Sequence, residues 1–232
     1  MLPRLSVMST APTTPATPER PLRRDAERNR QRILEAAREA FAEVGLSVTL
    51  DEIAHRAGVG VGTIYRRFPD KEKLIDALFE DQINGFVAMA EECLDHEDAW
   101  SGLLSFFERA TESHACDRGF KEVALSGYHG LDRCSRAREL MLPVVSRLVD
   151  RAQADGSLRA DVAPTDLPLL QLMLGSLSDC TRDVDPEVWR RYLGIVTDGL
   201  RAQGGPPSPL PRPPLRPEQT QEAMRAWRPP AR

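Results

Sequence analysis

Apolar positions recur along this chain at helical spacing through most of its length. Ile33, Ala36, Ala37, Ala40, Phe41 and Val44 fall at offsets 0, +3, +4, +7, +8 and +11, a single stripe at the 3.6-residue period. Gly45 supplies its stop. Thr49-Leu50-Asp51-Glu52 reads as a capping box, in which the Thr hydroxyl and the Glu carboxylate close orphan N–H groups. The short helix it starts turns Ile53, Ala54 and Ala57 towards the first. Gly58 permits a left-handed turn, and another short helix runs through Phe68 until Pro69-Asp70 breaks it. A long helix is predicted from Lys71 to Leu94. Others follow over about Asp98–Ser113, Phe120–Ser126, Leu131–Ala154, Thr165–Thr181 and Pro186–Ala202. Thr165 is a candidate N-cap, and Asp185-Pro186 pairs an N-cap with proline in the first helical position. No alternating β-branched run exceeds a few residues, so the fold class is all-α.

The ends break the pattern. Pro3, Pro12, Pro15, Pro18 and Pro21 stand among Ser, Thr and Ala, which predicts a disordered arm. From Gly204 onward, nine of the 19 prolines fall within 29 residues, and that tail is expected to pack no core. The resulting organisation is a disordered arm over 1–22 and a small helical domain over 23–72. A larger helical domain covers 73–203, and a disordered Pro-rich tail covers 204–232.

Charge changes the picture only through its distribution. The net charge of −4 argues against a nucleic-acid partner. Yet residues 1–70 carry 11 basic against 9 acidic side chains, residues 71–203 carry 15 against 24, and residues 204–232 carry 5 against 2. A mildly basic front on an acidic body suits a chain whose first part meets a polyanion. No apolar run approaches the ~18 residues of a membrane span. Met1–Met8, broken by Pro3, Arg4 and Ser6, carries no secretory signal pattern. Cys93, Cys116, Cys134 and Cys180 lack paired spacing and read as buried thiols in a reducing compartment, so a cytoplasmic location is expected.

Candidate chemistry is sparse outside the front third. His114-Ala115-Cys116, with His129 and Cys134, invites a metal reading, but no Cys-x-x-Cys or helical His-x-x-x-His pair supports it. No nucleophile elbow, P-loop or glycine fingerprint points to an enzyme. The reading is therefore no metal, no cofactor and no catalysis.

Two short helices around Ala57-Gly58-Val59, buttressed by Ile33–Val44, form a helix-turn-helix over about 49–68. Such a unit projects a helix that fits a major groove about 12 Å wide. The residues then narrow the choice. RILEAAREAFAEVGLSVTLDEIAHRAGVGVGTIYRRFPDKEKLIDALF (Arg32–Phe79) resembles the DNA-binding region of TetR-family transcriptional regulators. The markers are Ile33-Leu34, Ala36-Ala37, Phe41, Gly45, Thr49, Ile53-Ala54, Ala57-Gly58-Val59, Gly62-Thr63-Ile64-Tyr65, Phe68 and Lys71-Glu72. The resemblance implies an N-terminal helix-turn-helix domain, a helical ligand-binding and dimerisation domain, and operator binding as a homodimer, typically as a repressor.

By that resemblance Thr49, Thr63, Tyr65, Arg67 and Lys71 touch DNA, mostly at phosphates, while Gly60, Val61, Gly62 and Thr63 form the turn that faces base edges. Thr49 serves equally well as a plain N-cap, and Tyr65 as a partly buried core residue. Gly60 and Val61 depart from the family pattern, in which Ser and a polar or basic residue are common there; Val61 offers only apolar contact, for example to a thymine methyl.

In the body, Phe86, Phe106, Phe107, Tyr128, His129 and Met141 are candidates to line a mainly apolar effector pocket. The helices over 166–181 and 186–202 carry apolar residues on more than one side. The expected two-fold interface is Leu170, Leu174, Leu177, Tyr192, Ile195, Val196 and Gly199. The reading is a homodimeric regulator partnered by a double-stranded operator and a small-molecule effector. Its alternatives are a helical enzyme or metal-binding protein, and a DNA-binding module without an effector.

Overall fold

The structure, a computed structural model, describes residues 19–116, 130–202 and 210–226. The expected helix at Phe120–Ser126 and the first 18 residues of the expected arm lie outside the described residues. Within them the fold is helical, and the one β-type pairing is an isolated bridge between Leu158 and Arg201.

Three helices and a short 3-10 turn build the N-terminal head. Helix α1 (Glu19–Val44) is followed by a single 3-10 turn at Gly45–Ser47, then α2 (Leu50–Ala57) and α3 (Val61–Arg67). The expected stripe on α1 is buried from Ile33 to Phe41, but Val44 at its end is 48% exposed; Phe41, Ile53 and Ile64 bring the three helices to one point. Because α1 begins at Glu19, four residues assigned to the arm are helical instead. Pro21 falls within the opening turns, where a missing N–H costs no intrahelical bond.

Helix α4 (Lys71–Leu94) starts where Asp70 Oδ1 accepts the Lys73 N–H at 2.8 Å. Its first three turns send Leu74, Ile75 and Leu78 into the head core, and from Ile83 onward it belongs to the core of the body. The expected division after residue 72 therefore falls inside a continuous helix, displaced by about two turns.

The body adds α5 (Ala99–Cys116), α6 (Gly130–Ala154), α7 (Asp166–Thr181) and α8 (Trp189–Leu200). Helix α6 lies along α4, and Arg133 near its start is 4% exposed between Glu72 (2.7 Å) and Asp76 (2.8 Å) of α4. Helix α8 does not begin at the predicted Asp185-Pro186 cap. Asp185 Oδ1 accepts the Glu187 N–H within a turn, and α8 opens at Trp189. Trp189 is buried with Phe107, Leu174 and Leu193 in a separate small core.

That small core corrects two expectations. Leu174, assigned to a subunit interface, is 0% exposed inside the protomer, because α7 packs this face on α5. Phe107, assigned to the effector pocket, is one helical step away from Phe106 and turns into the same core.

The tail corrects a third. Residues 217–226 form α9 (Pro217–Ala226), which packs on α6 and buries Thr220. Thr165 stands at the N-cap of α7 as expected, but makes no side-chain cap bond there; its hydroxyl donates to Leu215 O at 2.8 Å and so fastens the tail. Proline content predicted a tail without a core. Yet Pro217 stands at the first helical position, where proline starts a helix.

Candidate nucleic-acid interface and ligand cavity

The head is fixed by local chemistry around Thr49. The Thr49 N–H and hydroxyl both donate to Glu52 Oε2, at 2.7 and 2.8 Å, and the Glu52 N–H donates to Thr49 Oγ1 at 3.2 Å. The capping box is thus closed in both directions. Thr49 backbone bonding, first, and its hydroxyl, second, hold the Glu52 carboxyl below its ordinary range. The Thr49 hydroxyl proton is committed to this cap, so a phosphate contact from it requires the cap to rearrange.

The turn between α2 and α3 depends on Gly58, at φ 61° and ψ 37°. A side chain there would be strained by the backbone, and its Cβ would lie 2.6 Å from the Arg32 guanidinium. Arg32 itself donates to Gly58 O at 3.3 Å, tying α1 to the turn. Sequence reasoning assigned Arg32 no role; its long reach of 26 residues leaves no local signal.

Helix α3 has one buried side chain, Ile64, which anchors it. Around it Val61 and Tyr65 are each 46% exposed, and Gly62, Arg66 and Arg67 are exposed as well. Gly60 stands at the N-cap in extended geometry without a side-chain cap, as its lack of a hydroxyl requires. Thr63 is half-buried, and its hydroxyl lies 3.5 Å from Arg66, which also donates to Gly62 O. The Asp51 carboxylate of α2, beside the Tyr65 hydroxyl, raises its pKa. Tyr65 is therefore a surface residue, and the Asp51 pairing could not be read from spacing. Lys71 is half-buried and donates to Leu46 O at 2.7 Å, which leaves two of its N–H groups for another acceptor. Thus α3 offers an exposed face with two arginines at its C-terminal end.

Some 20 Å of α4 further on, the body contains a cavity of about 260 Å³ between α4, α5, α6, α7 and α9. Phe86, Phe106 and Met141 line it, as expected from sequence. Phe107 does not, and Tyr128 and His129 lie outside the described residues. Sequence reasoning missed Gln171 of α7 and Thr220 and Met224 of α9. A signal for α9 existed: Gln219 Oε1 accepts the Arg216 N–H at 3.0 Å, half a capping box around Pro217.

Among the described residues no group of His, Cys, Asp and Glu is placed to hold a metal, and no helix is long and apolar enough to cross a membrane. The side chains of His114, Cys116 and Cys134 are outside the described set. Helices α7 and α8 carry exposed apolar side chains, with Met173 50%, Tyr192 43% and Ile195 56% exposed. Gly199 is exposed beside them, and Leu170, Leu177 and Val196 are half-buried.

Residues 33–78 match the tetR family of bacterial regulatory proteins, and residues 98–202 match the C-terminal domain of SbtR-like transcriptional regulators. A TetR transcription regulatory protein from Mycobacterium vanbaalenii is 35% identical. The similarity covers 78% of this chain and 99% of that one, with a TM-score of 0.63. The chain belongs to the TetR family. A second TetR transcriptional regulator, from Streptomyces coelicolor, is 30% identical over 75% of this chain and 99% of its own, with a TM-score of 0.60. The HTH-type transcriptional regulator SrpR of Pseudomonas putida is 29% identical across 77% of this chain and 78% of its own length. A staphylococcal HTH-type regulator is 38% identical over 80 residues, 33% of this chain and 43% of its own. These TetR-family relatives are transcriptional regulators, not enzymes. Both matched family spans end before α9 begins.

Proposed function

We propose that this TetR-family protein is a homodimeric repressor that leaves a palindromic operator when a small, mainly apolar ligand fills the cavity. The observation that carries the reading is the shared helix. Helix α4 enters the head core at Leu74, Ile75 and Leu78 and supplies Ile83 and Phe86 to the cavity wall. A ligand that moves the cavity walls displaces the head without any loop to absorb the motion. It shifts the population by as much as it prefers one arrangement to the other.

Gly60, Val61, Gly62 and Thr63 face base edges in this reading, while Tyr65, Arg67 and Lys71 contact phosphates. Thr49 holds the frame as a cap. The dimer face is made of Met173 and Leu177 on α7 with Tyr192, Ile195, Val196 and Gly199 on α8, Leu170 lying at its margin and Leu174 beneath it. Small residues on α8 permit close helix approach in a four-helix interface.

The test is selection of duplexes from a randomised pool by the full chain. The expected result is a pseudo-palindrome with half-sites about one helical turn, ~34 Å, apart or a multiple of it. Selection of a single half-site by a monomer, or of no sequence, overturns the reading.

A further inference from the structure

Helical threonines in this protein normally turn their hydroxyls back onto their own helix. Thr111 donates to Phe107 O at 2.7 Å, Thr181 to Leu177 O at 3.0 Å and Thr197 to Leu193 O at 2.9 Å. Thr220 does not, although its own amide completes the helical bond to Arg216 O. It is 6% exposed, lines the cavity, and its hydroxyl has no hydrogen-bond partner among the described residues. Gln171 Nε2, on α7, lines the same cavity and is likewise buried without a partner. Buried polar groups in folded proteins nearly always have partners, so two orphans bordering one cavity point to something that fills it.

The rest of the lining limits what that is. The two charged residues there are already paired, Arg138 with Glu218 at 3.5 Å and Asp179 with Arg182 at 3.4 Å. Ser176 is satisfied by Leu172 O. Thr165 and Gln221 are bonded to Leu215 O and Ser135, Gln82 adds one more neutral amide, and Phe86, Phe106, Met141 and Met224 make most of the remaining wall apolar. An ionic ligand would find no uncommitted counter-charge among these residues. A carbonyl or hydroxyl oxygen could accept from the Gln171 amide and the Thr220 hydroxyl together.

We infer that α9 is a working wall of the effector site, and that the effector is an uncharged, largely apolar molecule whose carbonyl or hydroxyl oxygen is held between Gln171 and Thr220. The inference rests on the repressor reading for the consequence of binding, but not for binding itself. It also assigns a role to a segment beyond both matched family spans. Helix α9 is fastened at several points. Thr165 donates to Leu215 O, Arg138 pairs with Glu218, and Gln221 bonds Ser135 of α6. A helix held in this way meets the ligand with its side chains already placed.

The experiment uses the full chain and two probes of matched shape: 2-acetylnaphthalene, and 2-isopropenylnaphthalene, in which CH2 replaces the carbonyl oxygen. Equilibrium dialysis gives both dissociation constants for wild type, Thr220→Val and Gln171→Met. The ratio of the two constants, compared between proteins, cancels the difference in transfer from water. Thr220→Val keeps the shape and removes the hydroxyl, so the ratio is expected to move about fivefold against the carbonyl compound. Gln171→Met should move it in the same direction, and Thr220→Ser should largely restore it. Amide exchange in residues 217–226 should slow when the acetyl compound binds wild type. An unchanged ratio in both variants, unprotected α9 amides, or no binding of either probe overturns the inference. Affinity for the selected duplex is measured alongside. Probe binding that follows the expected pattern but leaves duplex affinity unchanged supports the site and sinks only the effector reading.

Discussion

Arg133 is the strongest electrostatic tie between the body and the start of α4. Its guanidinium, on a side chain 4% exposed, donates through Nε to Asp76 at 3.0 Å and reaches Glu72 at 2.7 Å. Arg133→Met keeps most of the buried aliphatic stem and removes the charge. Breaking a fully buried pair costs about 3–5 kcal/mol. Here the stranded carboxylates are not sealed in: the Glu72 and Asp76 side chains stay 45% and 35% exposed and regain water. Discounting for that solvation leaves about 2 kcal/mol. This is roughly a 30-fold change in the folded-to-unfolded ratio and about 4–8 °C in Tm for a chain of this size. Urea unfolding followed by far-UV circular dichroism, with Glu72→Gln and the double variant completing a cycle, measures the tie directly. The double variant is expected to be less destabilised than the sum of the single ones. A loss under about 0.5 kcal/mol for Arg133→Met, or strict additivity in the cycle, refutes the argument.

The two apolar positions on α7 and α8 should part company. Leu174→Asp is expected to abolish folding, since it buries a charge beside Phe107 and Trp189, whereas Ile195→Asp should give a folded monomer by light scattering with much weaker operator binding. On DNA, Arg67→Ala should weaken binding to all sequences alike and flatten the salt slope by about 1 unit for every phosphate left without its cation in each subunit. Val61→Gln should instead change base preference at one symmetric pair of positions, with mismatch penalties of ~1–3 kcal/mol moving there; affinity across a randomised operator at two salt concentrations checks both. The Glu52 carboxyl, held by Thr49 below its ordinary value of 4.5, contributes stability that is fully present above that value and lost as pH falls through its lower folded value. Acid unfolding of Glu52→Gln should therefore depend less steeply on pH in that window than wild type does, and equal steepness would contradict the assignment.

Most of the head was legible because its determinants are local. The α1 stripe, the capping box and Gly58 each act within a few residues, and the Lys71 and Leu94 limits of α4 follow from Pro69-Asp70 and the acidic end. The interface residues on α7 were harder, because a helix apolar on several sides does not say which side meets its own protomer. Leu174 and Leu177 differ by three positions and about 60° around the helix, and that turn separates the small core from a half-buried edge. Phe106 and Phe107 pose the same problem at one residue's spacing. The α9 wall was hidden for another reason. Its prolines cluster before the helix, and composition averaged over 29 residues conceals a ten-residue segment in which Thr220 and Met224 share a face. Arg133 with Glu72 and Asp76 spans about sixty residues, a separation at which sequence spacing carries no information.

The unbroken course of α4 through two cores has a consequence for how the molecule comes apart. Leu78 and Ile83 are separated by little more than one turn, so the hydrogen-bonded ladder that belongs to the head runs directly into the ladder that belongs to the body. Opening either end exposes amides whose protection depends on the other. Native-state hydrogen exchange should then find the middle of α4 among the last amides to open, with α3 fraying separately at lower cost. Helix α3 is thus the soft edge of a hard rod, free to adapt its own backbone while the spine that carries it stays intact.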